Sequence, residues 1–231
     1  MRQNILIGIM TFVWLVLVAN IIWQGTDGRW MIEDVEKIAQ LEVAKYTNQI
    51  IVVAVSDEEC TLCLYECEAG SWQHVLETEA VIGKNGLGKT KEGDGKTPIG
   101  VFCFVKAFGI LKNPGTQLEY IEIGEEHYWV DDSNSNYYNQ FVSTKEVMPN
   151  WSSAEHIVEF EDCYNYVLAT SYNMEQIQGK GSAVFLHCTS RNSQATEGCI
   201  AIPEVYMREI MKHVNSQCIL IIDREKNIFL Y

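Results

Sequence analysis

The chain has 231 residues, and its 17 Lys and Arg residues are outnumbered by 31 Asp and Glu residues, which gives a formal net charge of −14. This acidic balance excludes a protein that reads nucleic acid, because binding to the phosphate backbone requires a basic patch. The length is sufficient for one sizeable domain with attachments. The 8 cysteines are too sparse for a small scaffold built on disulfides.

The N-terminus contains an almost unbroken apolar segment, Ile5 to Trp23, which is long enough to span a bilayer as a helix. Arg2 precedes this segment and acidic residues follow it, so the positive-inside rule leaves the N-terminus in the cytoplasm. A cleaved signal peptide is the alternative, although the apolar run is longer than a usual signal core and no clear cleavage site follows it. We therefore predict a single-pass transmembrane anchor over residues 1–25 and an extracytoplasmic location for the rest.

Residues 26–49 are predicted to form a stalk between the membrane and the main domain. Ile32, Val35, Ile38 and Leu41 recur at every third position with charged residues between them, which is typical of an amphipathic helix. A helix that binds a partner is the alternative interpretation.

The main domain is predicted over residues 50–231. It contains short β-branched or alternating segments separated by turns, a pattern typical of strands, such as IIVVAVS, TLCLYECE, WQHVLETEAVIG, IGVFCF, AVFLH and CIAIP. The glycine- and lysine-rich segment GKNGLGKTKEGDGKTP lacks the P-loop spacing, and a strand follows its Pro where a P-loop requires a helix. We interpret this segment as a flexible excursion. Ser152-x-x-Glu155 is a capping-box pattern and predicts a short helical turn.

The C-terminal part is predicted to contain one helix and a closing hairpin. Pro203 and Glu204 are typical of a helix start, and an apolar face follows them. Cys218–Ile222 and Ile228–Tyr231 are predicted as the two strands of the hairpin. The sequence therefore predicts a mainly β fold, a sandwich or barrel with one or two packed helices.

Cys60, Cys63 and Cys67 raise the question of a metal site. Cys60-x2-Cys63 has no second matching pair, and on the predicted strand these two side chains point to opposite faces. That arrangement does not suit a shared tetrahedral metal. We predict structural roles for these cysteines and assign no metal ligand.

His187 and Cys199 are the candidate catalytic residues. His187 ends one apolar strand and Cys199 opens another, with a polar loop between them. A cysteine nucleophile with an imidazole base requires this kind of arrangement, although a free cysteine is also commonly a small core residue. Gly198 removes side-chain bulk next to the sulfur, so that a substrate carbonyl can approach backbone N–H groups that serve as an oxyanion hole.

The pattern of His187, a polar loop and Thr196-x-Gly198-Cys199-Ile200 resembles the catalytic signature of the cysteine L,D-transpeptidases of bacterial cell-wall synthesis. The segment Lys96 to Phe102, KTPIGVF, resembles a second segment of the same family. The resemblance implies that Cys199 is the nucleophile, His187 the base and Thr196 a supporting hydroxyl. The chain departs from the commonest motif at three positions, which are occupied here by Cys188, Glu197 and Ala201. At position 188 the backbone carbonyl alone suffices to orient the imidazole.

The resemblance implies a membrane-tethered L,D-transpeptidase that acts on the stem peptides of peptidoglycan, on the cell-wall side of the membrane, without a metal or organic cofactor. Trp129, Tyr138 and Arg191 are the candidate substrate-binding residues, with a core or rim position as the alternative for the aromatic pair. An L,D-carboxypeptidase with the same site, a wall-binding module without catalysis and a purely structural role for His187 and Cys199 remain the alternatives.

Overall fold

The structure is a computed structural model, and it describes residues 32–57, 59–190 and 194–231. The predicted anchor Ile5–Trp23 and the substrate-binding candidate Arg191 lie outside the described residues. Within these ranges, no helix is both long enough and apolar enough to cross a membrane. The chain divides into two compact units, Met1–Asp34 and Val35–Tyr231, and only residues 32–34 of the first are described.

Strands are the main regular secondary structure in the described part of the second unit. The described strands are β1 (Gln49–Val55), β2 (Cys60–Glu68), β3 (Ser71–Glu79), β4 (Gly100–Gly109), β5 (Tyr120–Glu122), β6 (His127–Val130), β7 (Gln140–Ser143), β8 (Ala154–His156), β9 (Val167–Thr170), β10 (Phe185–Cys188), β11 (Ile200–Ile202) and β12 (Ile219–Arg224). The described helices are α1 (Ile32–Ala39) and α2 (Glu204–His213), with 3-10 helices at Glu42–Lys45, Ile157–Glu159 and Glu225–Leu230.

Within the described residues, nine strands form one sheet in the order β11-β10-β9-β4-β12-β1-β2-β3, with β5 paired to β4. Strands β6, β7 and β8 form a separate sheet of three strands. The large sheet curls, because Val81, just after β3, exchanges backbone hydrogen bonds of 2.8 and 2.9 Å with Ala201 of β11 at the opposite end. The prediction of a mainly β fold with few helices is confirmed.

Two apolar clusters lie on opposite faces of β10 and β11. The first lies under α2 and contains Leu186 and Ile200 together with Met207, Ile210 and Met211 of the helix, all with no exposed surface. The helix begins after Pro203, as predicted. The second cluster is rich in aromatic side chains and also contains Cys199; its members are Phe108, Trp129, Ile157, Tyr164, Val167, Ala169, Phe185 and Cys199.

The segment predicted as a stalk is partly built into the second unit. The predicted helix is observed as α1, which ends at Ala39, followed by the 3-10 helix Glu42–Lys45. Ile38 is completely buried and Leu41 is nearly so. The backbone N–H of Glu42 donates a 2.8 Å hydrogen bond to the carbonyl oxygen of Tyr231. Residues 35–48 therefore pack against the domain instead of standing apart from it.

Two local predictions differ from the structure. The capping-box segment Ser152–Glu155 is not helical: Ala154–His156 forms β8, because it pairs with β6, and the 3-10 turn begins at Ile157. The final residues form the 3-10 helix Glu225–Leu230 in place of a second hairpin strand. A hairpin could not extend the sheet here, because both edges of β12 are already paired, with β1 and β4.

Candidate active site

Strands β10 and β11 bring His187 and Cys199 to the same face of the sheet. The two strands are parallel, with Leu186 paired to Ile200 and His187 paired to Ala201. Because directly paired residues share a face and side chains alternate along a strand, Cys199 projects to the same side as His187. Both side chains line one cavity of about 510 Å³. The predicted pair is therefore brought together at an open crevice.

The thiol of Cys199 is held in its neutral form. The side chain is 9% exposed, its S–H donates to the carbonyl oxygen of Ala183 at 3.0 Å, and the N–H of Phe185 donates to its sulfur at 3.3 Å. Burial raises the pKa of Cys199 to about 12, and the nearby Glu155 carboxylate raises it further. The Phe185 N–H and the Lys89 ammonium have the opposite, smaller effect and lower this pKa. Ala183 has a φ of 52°, which is uncommon for a residue with a side chain.

The imidazole of His187 is oriented by the backbone. Its Nδ1 lies 2.8 Å from the carbonyl oxygen of Cys188. Because a carbonyl oxygen can only accept, Nδ1 carries the proton and Nε2 keeps its lone pair. Burial lowers the pKa of His187 to about 4, although hydrogen bonds to the backbone of Cys188 and of Cys163 act in the opposite direction. The ring also packs edge-on against Tyr164, with 5.4 Å between the ring centroids. His187 is thus a neutral imidazole whose proton is on Nδ1.

Cys188 contributes through its backbone, as the departure from the family motif requires. Its side chain is fully buried in the first apolar cluster, on the face opposite to His187. Its carbonyl oxygen receives the imidazole N–H described above. A side chain at this position is compatible with the site because only the carbonyl faces the imidazole.

Gly198 and Thr196 form a tight turn that presents Cys199. Gly198 has a φ of 146°, and a Cβ atom there would lie 2.8 Å from the carbonyl oxygen of Lys96, so both its conformation and its contacts require glycine. The Thr196 hydroxyl donates to the carbonyl oxygen of Cys199 at 2.7 Å and accepts the N–H of Gly198 at 3.1 Å. This corrects one expectation: the Gly198 N–H is bound to Thr196 and does not point to a substrate oxygen.

The second family-like segment supports this turn from behind. Thr97 is completely buried, and its hydroxyl lies 2.9 Å from the carbonyl oxygen of Gly198 and 3.3 Å from that of Cys199. The same hydroxyl accepts the N–H of Gly83 at 2.9 Å. KTPIGVF therefore belongs to the site physically, because its threonine fixes the carbonyls on either side of the Cys199 amide.

A buried ion pair lies beside the turn. The Lys89 side chain is 3% exposed, and its Nζ lies 3.2 Å from Oδ1 of Asp94. Burial raises the pKa of Asp94, but hydrogen bonds from the N–H groups of Thr90, Lys96 and Lys91 and from Lys89 outweigh it and hold this pKa at about 2. The glycine-rich segment interpreted as a flexible excursion is thus organised around one carboxylate, which directs the Lys89 ammonium to the cavity.

Carboxyl groups line the cavity as well. Glu155 of β8 is half-buried and accepts a 2.7 Å hydrogen bond from the Tyr164 hydroxyl. Burial raises the pKa of Glu155 to about 7 against the lowering effect of the Tyr164 hydrogen bond, and Asp131 and Glu92 add smaller increases. Among the described residues, the Oδ1 atom of Asp131 is buried without a hydrogen-bond partner. The cavity therefore contains carboxyl groups as well as the Lys89 ammonium, and both Glu155 and Lys89 are near the thiol.

Residues 48–222 match the L,D-transpeptidase catalytic domain family (YkuD). The chain belongs to this family. No curated protein sequence matches it significantly. Among solved structures, it is similar to Bd1075 of Bdellovibrio bacteriovorus, with 15% identity, a TM-score of 0.43 and coverage of 79% of this chain and 50% of that one. It is also similar to the helical cell shape determining protein Pgp2 of Campylobacter jejuni, with 16% identity, a TM-score of 0.45 and the same coverages.

L,D-transpeptidase 1 of Mycobacterium tuberculosis is a further similar structure, with 15% identity, a TM-score of 0.36 and coverage of 76% of this chain and 61% of that one. The present chain therefore spans about half of the first two structures. These similarities are too distant to indicate an activity, and family membership rests on the match over residues 48–222.

In this L,D-transpeptidase-type domain, the two aromatic substrate-binding candidates lie in the interior. Trp129 is 5% exposed and packs on Phe185, with 4.7 Å between the ring centroids. Tyr138 is 2% exposed; its hydroxyl donates to Glu92 at 2.5 Å and accepts the N–H of Gly181 at 3.0 Å. Neither side chain lines the cavity. We expected Trp129 and Tyr138 to contact the substrate directly. The structure instead has both side chains behind the cavity wall, where ring packing holds Trp129 and buried hydrogen bonds hold Tyr138.

Sequence reasoning missed the other groups of the cavity. Glu155 was assigned to a capping box, and Lys89 to a flexible loop. Thr97 was noted only as part of a family-like segment. No local pattern indicates Glu155, because its strand Ala154–His156 is short and mostly polar. No local pattern in the sequence indicates that Lys89 is buried against Asp94.

Proposed function

We propose that this protein is an L,D-transpeptidase that forms a thioester between Cys199 and a donor stem peptide of peptidoglycan and transfers the acyl group to an acceptor amine. The observation that carries this proposal is that a neutral Cys199 thiol and a neutral His187 imidazole lie on one face of two adjacent strands and line one cavity. Membership of the L,D-transpeptidase catalytic domain family supports the same reaction class.

In the first step, His187 removes the proton of Cys199 and the sulfur attacks the carbonyl of the third, diamino-acid residue of the donor. The S–H first leaves the carbonyl oxygen of Ala183, which it contacts at rest. The resulting thiolate and imidazolium attract each other, and the Lys89 ammonium and the Phe185 N–H stabilise the sulfur further. The protonated imidazole then gives its proton to the leaving amine, so that the terminal D-residue departs as a free amino acid.

The backbone next to the sulfur stabilises the tetrahedral oxyanion. Because the Gly198 N–H is bound to Thr196, we assign this function to the N–H of Cys199. The Thr97 and Thr196 hydroxyls fix the carbonyl oxygen of Cys199, and this bonding holds the turn in place. One such donor contributes about 3 kcal/mol to transition-state stabilisation.

In the second step, the acceptor amine attacks the thioester. An amine reaches the site as an ammonium ion at neutral pH, and the carboxyl groups of Glu92, Asp131 and Glu155 lining the cavity would attract it. The ammonium first loses one proton to solvent, and the free amine attacks the thioester carbonyl. His187 takes a second proton from the attacking nitrogen, the C–S bond breaks, and the imidazolium returns this proton to the sulfur, which restores the Cys199 thiol. Amines attack thioesters far more readily than water does, which is why a cysteine suits transfer better than hydrolysis.

The reaction products test this proposal. The full chain is incubated with a tetrapeptide donor and an acceptor stem, and the muropeptides are analysed by mass spectrometry. A cross-linked product that requires both peptides supports a transpeptidase. Release of the terminal D-residue without cross-linking would indicate an L,D-carboxypeptidase. Unchanged peptides in the presence of a folded protein would indicate a binding module without catalysis.

We also propose that residues 1–25 anchor the chain in the membrane, with the catalytic domain on the cell-wall side. The apolar segment Ile5–Trp23 and the charges on its two sides support this orientation. Added protease should digest the domain in spheroplasts without lysis. Protection of the domain until the cells are lysed would contradict the orientation.

A further inference from the structure

The β2–β3 hairpin contains a bulge that changes which side chains share a face. Cys63 pairs with Glu77 and Leu64 with Leu76, but Tyr65 pairs with His74, so Val75 is the extra residue. In a regular strand, residues three apart point to opposite faces. The extra residue cancels this alternation, so that His74 and Glu77 project to the same face as Cys63. Bulges often redirect side chains at functional positions.

The three side chains on this face place their ligand atoms close together. Sγ of Cys63 lies 4.0 Å from Oε2 of Glu77, and Nε2 of His74 lies 3.8 Å from the same oxygen. All three ligand atoms lie within 4.8 Å of one another. Cys63 is 1% exposed, while the side chains of His74 and Glu77 are 17% and 34% exposed. The group is therefore buried on the thiol side and open to solvent on the carboxylate side.

We propose that Cys63, His74 and Glu77 bind one Zn²⁺ ion. A thiolate, an imidazole and a carboxylate are the side chains that zinc uses in proteins, and three protein ligands with water in the fourth position form a common zinc geometry. The half-exposed Glu77 leaves a solvent-facing side for that water. The proton of the Cys63 thiol leaves to solvent when the metal binds. No described residue of the predicted active site takes part.

The charges and the distances fit this ion. A thiolate and a carboxylate balance the two positive charges of zinc. Zinc–ligand bonds of about 2.0–2.3 Å place tetrahedral ligand atoms about 3.3–3.6 Å apart. The observed separations of 3.8 and 4.0 Å need to close by a few tenths of an ångström. The separation between the Cys63 and His74 ligand atoms is within 4.8 Å and needs to close by at most about 1.2 Å.

The sequence alone does not indicate this site because its ligands do not form a short motif. Cys60 faces the first apolar cluster, so the Cys60-x2-Cys63 spacing is irrelevant to it. A bound ion would join the two strands across the bulge. The chain after β3 continues to Val81, which bonds to Ala201 near the cavity, so the ion would stabilise the hairpin that leads into the active-site end of the sheet.

Cobalt spectroscopy tests the proposal directly. The experiment uses the full chain with the Cys199→Ser substitution. This substitution prevents cobalt from binding to Cys199 and His187 in the predicted active site. Titration with CoCl₂ is expected to give a thiolate-to-cobalt charge-transfer band in the near ultraviolet that saturates at one ion per chain, and ZnCl₂ is expected to displace it. Cys63→Ser should abolish the band. The matched control Cys60→Ser, on the same strand but the opposite face, should leave it intact.

Zinc affinity and thermal stability provide the second readout. Loss of an outer partner of a metal ligand weakens binding by about 10- to 100-fold, so loss of a direct ligand in His74→Gln or Glu77→Gln should weaken it by at least about 100-fold. ZnCl₂ should raise the Tm of the Cys199→Ser chain but not that of Glu77→Gln, whose half-exposed position makes it safe for folding. A charge-transfer band that persists in Cys63→Ser, or a Tm that zinc leaves unchanged, would overturn the proposal.

Discussion

The carboxyl group of Glu155 is predicted to make the protein less stable as the pH rises towards neutrality. Burial, with help from Asp131 and Glu92, raises its pKa from 4.5 to about 7. Between these two values the folded protein holds a proton that the unfolded chain has already lost, so folding stability falls as the pH increases. One pKa unit corresponds to about 1.4 kcal/mol, which gives an upper limit of about 3 kcal/mol because the carboxyl faces an open cavity.

His187 has the opposite effect in almost the same range. Burial lowers its pKa from 6.5 to about 4, so the unfolded chain binds a proton that the folded protein does not. Stability is therefore lost as the pH falls from 6.5 to 4. Between pH 4.5 and 6.5 the contributions of His187 and Glu155 cancel. The stability of the wild-type protein should therefore change little with pH in this range. In Glu155→Gln, the contribution of His187 is no longer cancelled, and stability should fall as the pH decreases.

Urea denaturation at closely spaced pH values between 4.5 and 7.5 tests this prediction. The free energy of unfolding of Glu155→Gln, relative to the wild type, should rise by up to about 3 kcal/mol from pH 4.5 to 7. Glu161→Gln, an exposed position nearby, is the control and should follow the wild type. Parallel profiles for the wild type and Glu155→Gln across this range would refute the argument.

Two further substitutions test the turn that presents the nucleophile. Thr97→Val leaves the N–H of Gly83 and the carbonyl of Gly198 without their buried partner. It should therefore cost about 1–3 kcal/mol of stability and lower the acylation rate by about 10- to 100-fold, and Thr97→Ser should restore both. Equal acylation rates in the Val and Ser variants would contradict this role of the hydroxyl. Gly198→Ala places a Cβ 2.8 Å from a backbone oxygen and should abolish acylation. The control is Gly70→Ala: Gly70 also has a positive φ, but a Cβ there meets nothing within 4 Å, so acylation should be unchanged. An active Gly198→Ala variant would show that the turn is not needed.

The sequence predicted the architecture around the site because its signals are local. Short apolar runs indicated β10 and β11, and side-chain alternation puts His187 and Cys199 on the same face because these strands are neighbours. Pro203 marked the start of α2 correctly. The departure at Cys188 agrees with the structure as well, because residue 188 contacts the imidazole through its backbone carbonyl and not through its side chain.

The remaining features depend on tertiary contacts that no short pattern encodes. Glu155 matched a capping box, but pairing of β8 with β6 overrode this local preference. The last segment could not become a hairpin strand, because both edges of β12 were occupied. The grouping of Cys63 with His74 depends on one extra residue in β3, and a bulge is not visible in the alternation of a single strand.

The central claim is that the sulfur of Cys199 forms the covalent bond to the donor and that His187 activates it. Intact-protein mass spectrometry followed by peptide mapping, after brief mixing with a tetrapeptide donor, measures this directly. The account predicts an adduct on Cys199 equal to the donor minus its terminal D-residue, no adduct in Cys199→Ala, and slow formation in His187→Ala that recovers partly at alkaline pH. An adduct on another cysteine, or an unchanged rate in His187→Ala at neutral pH, would contradict the account.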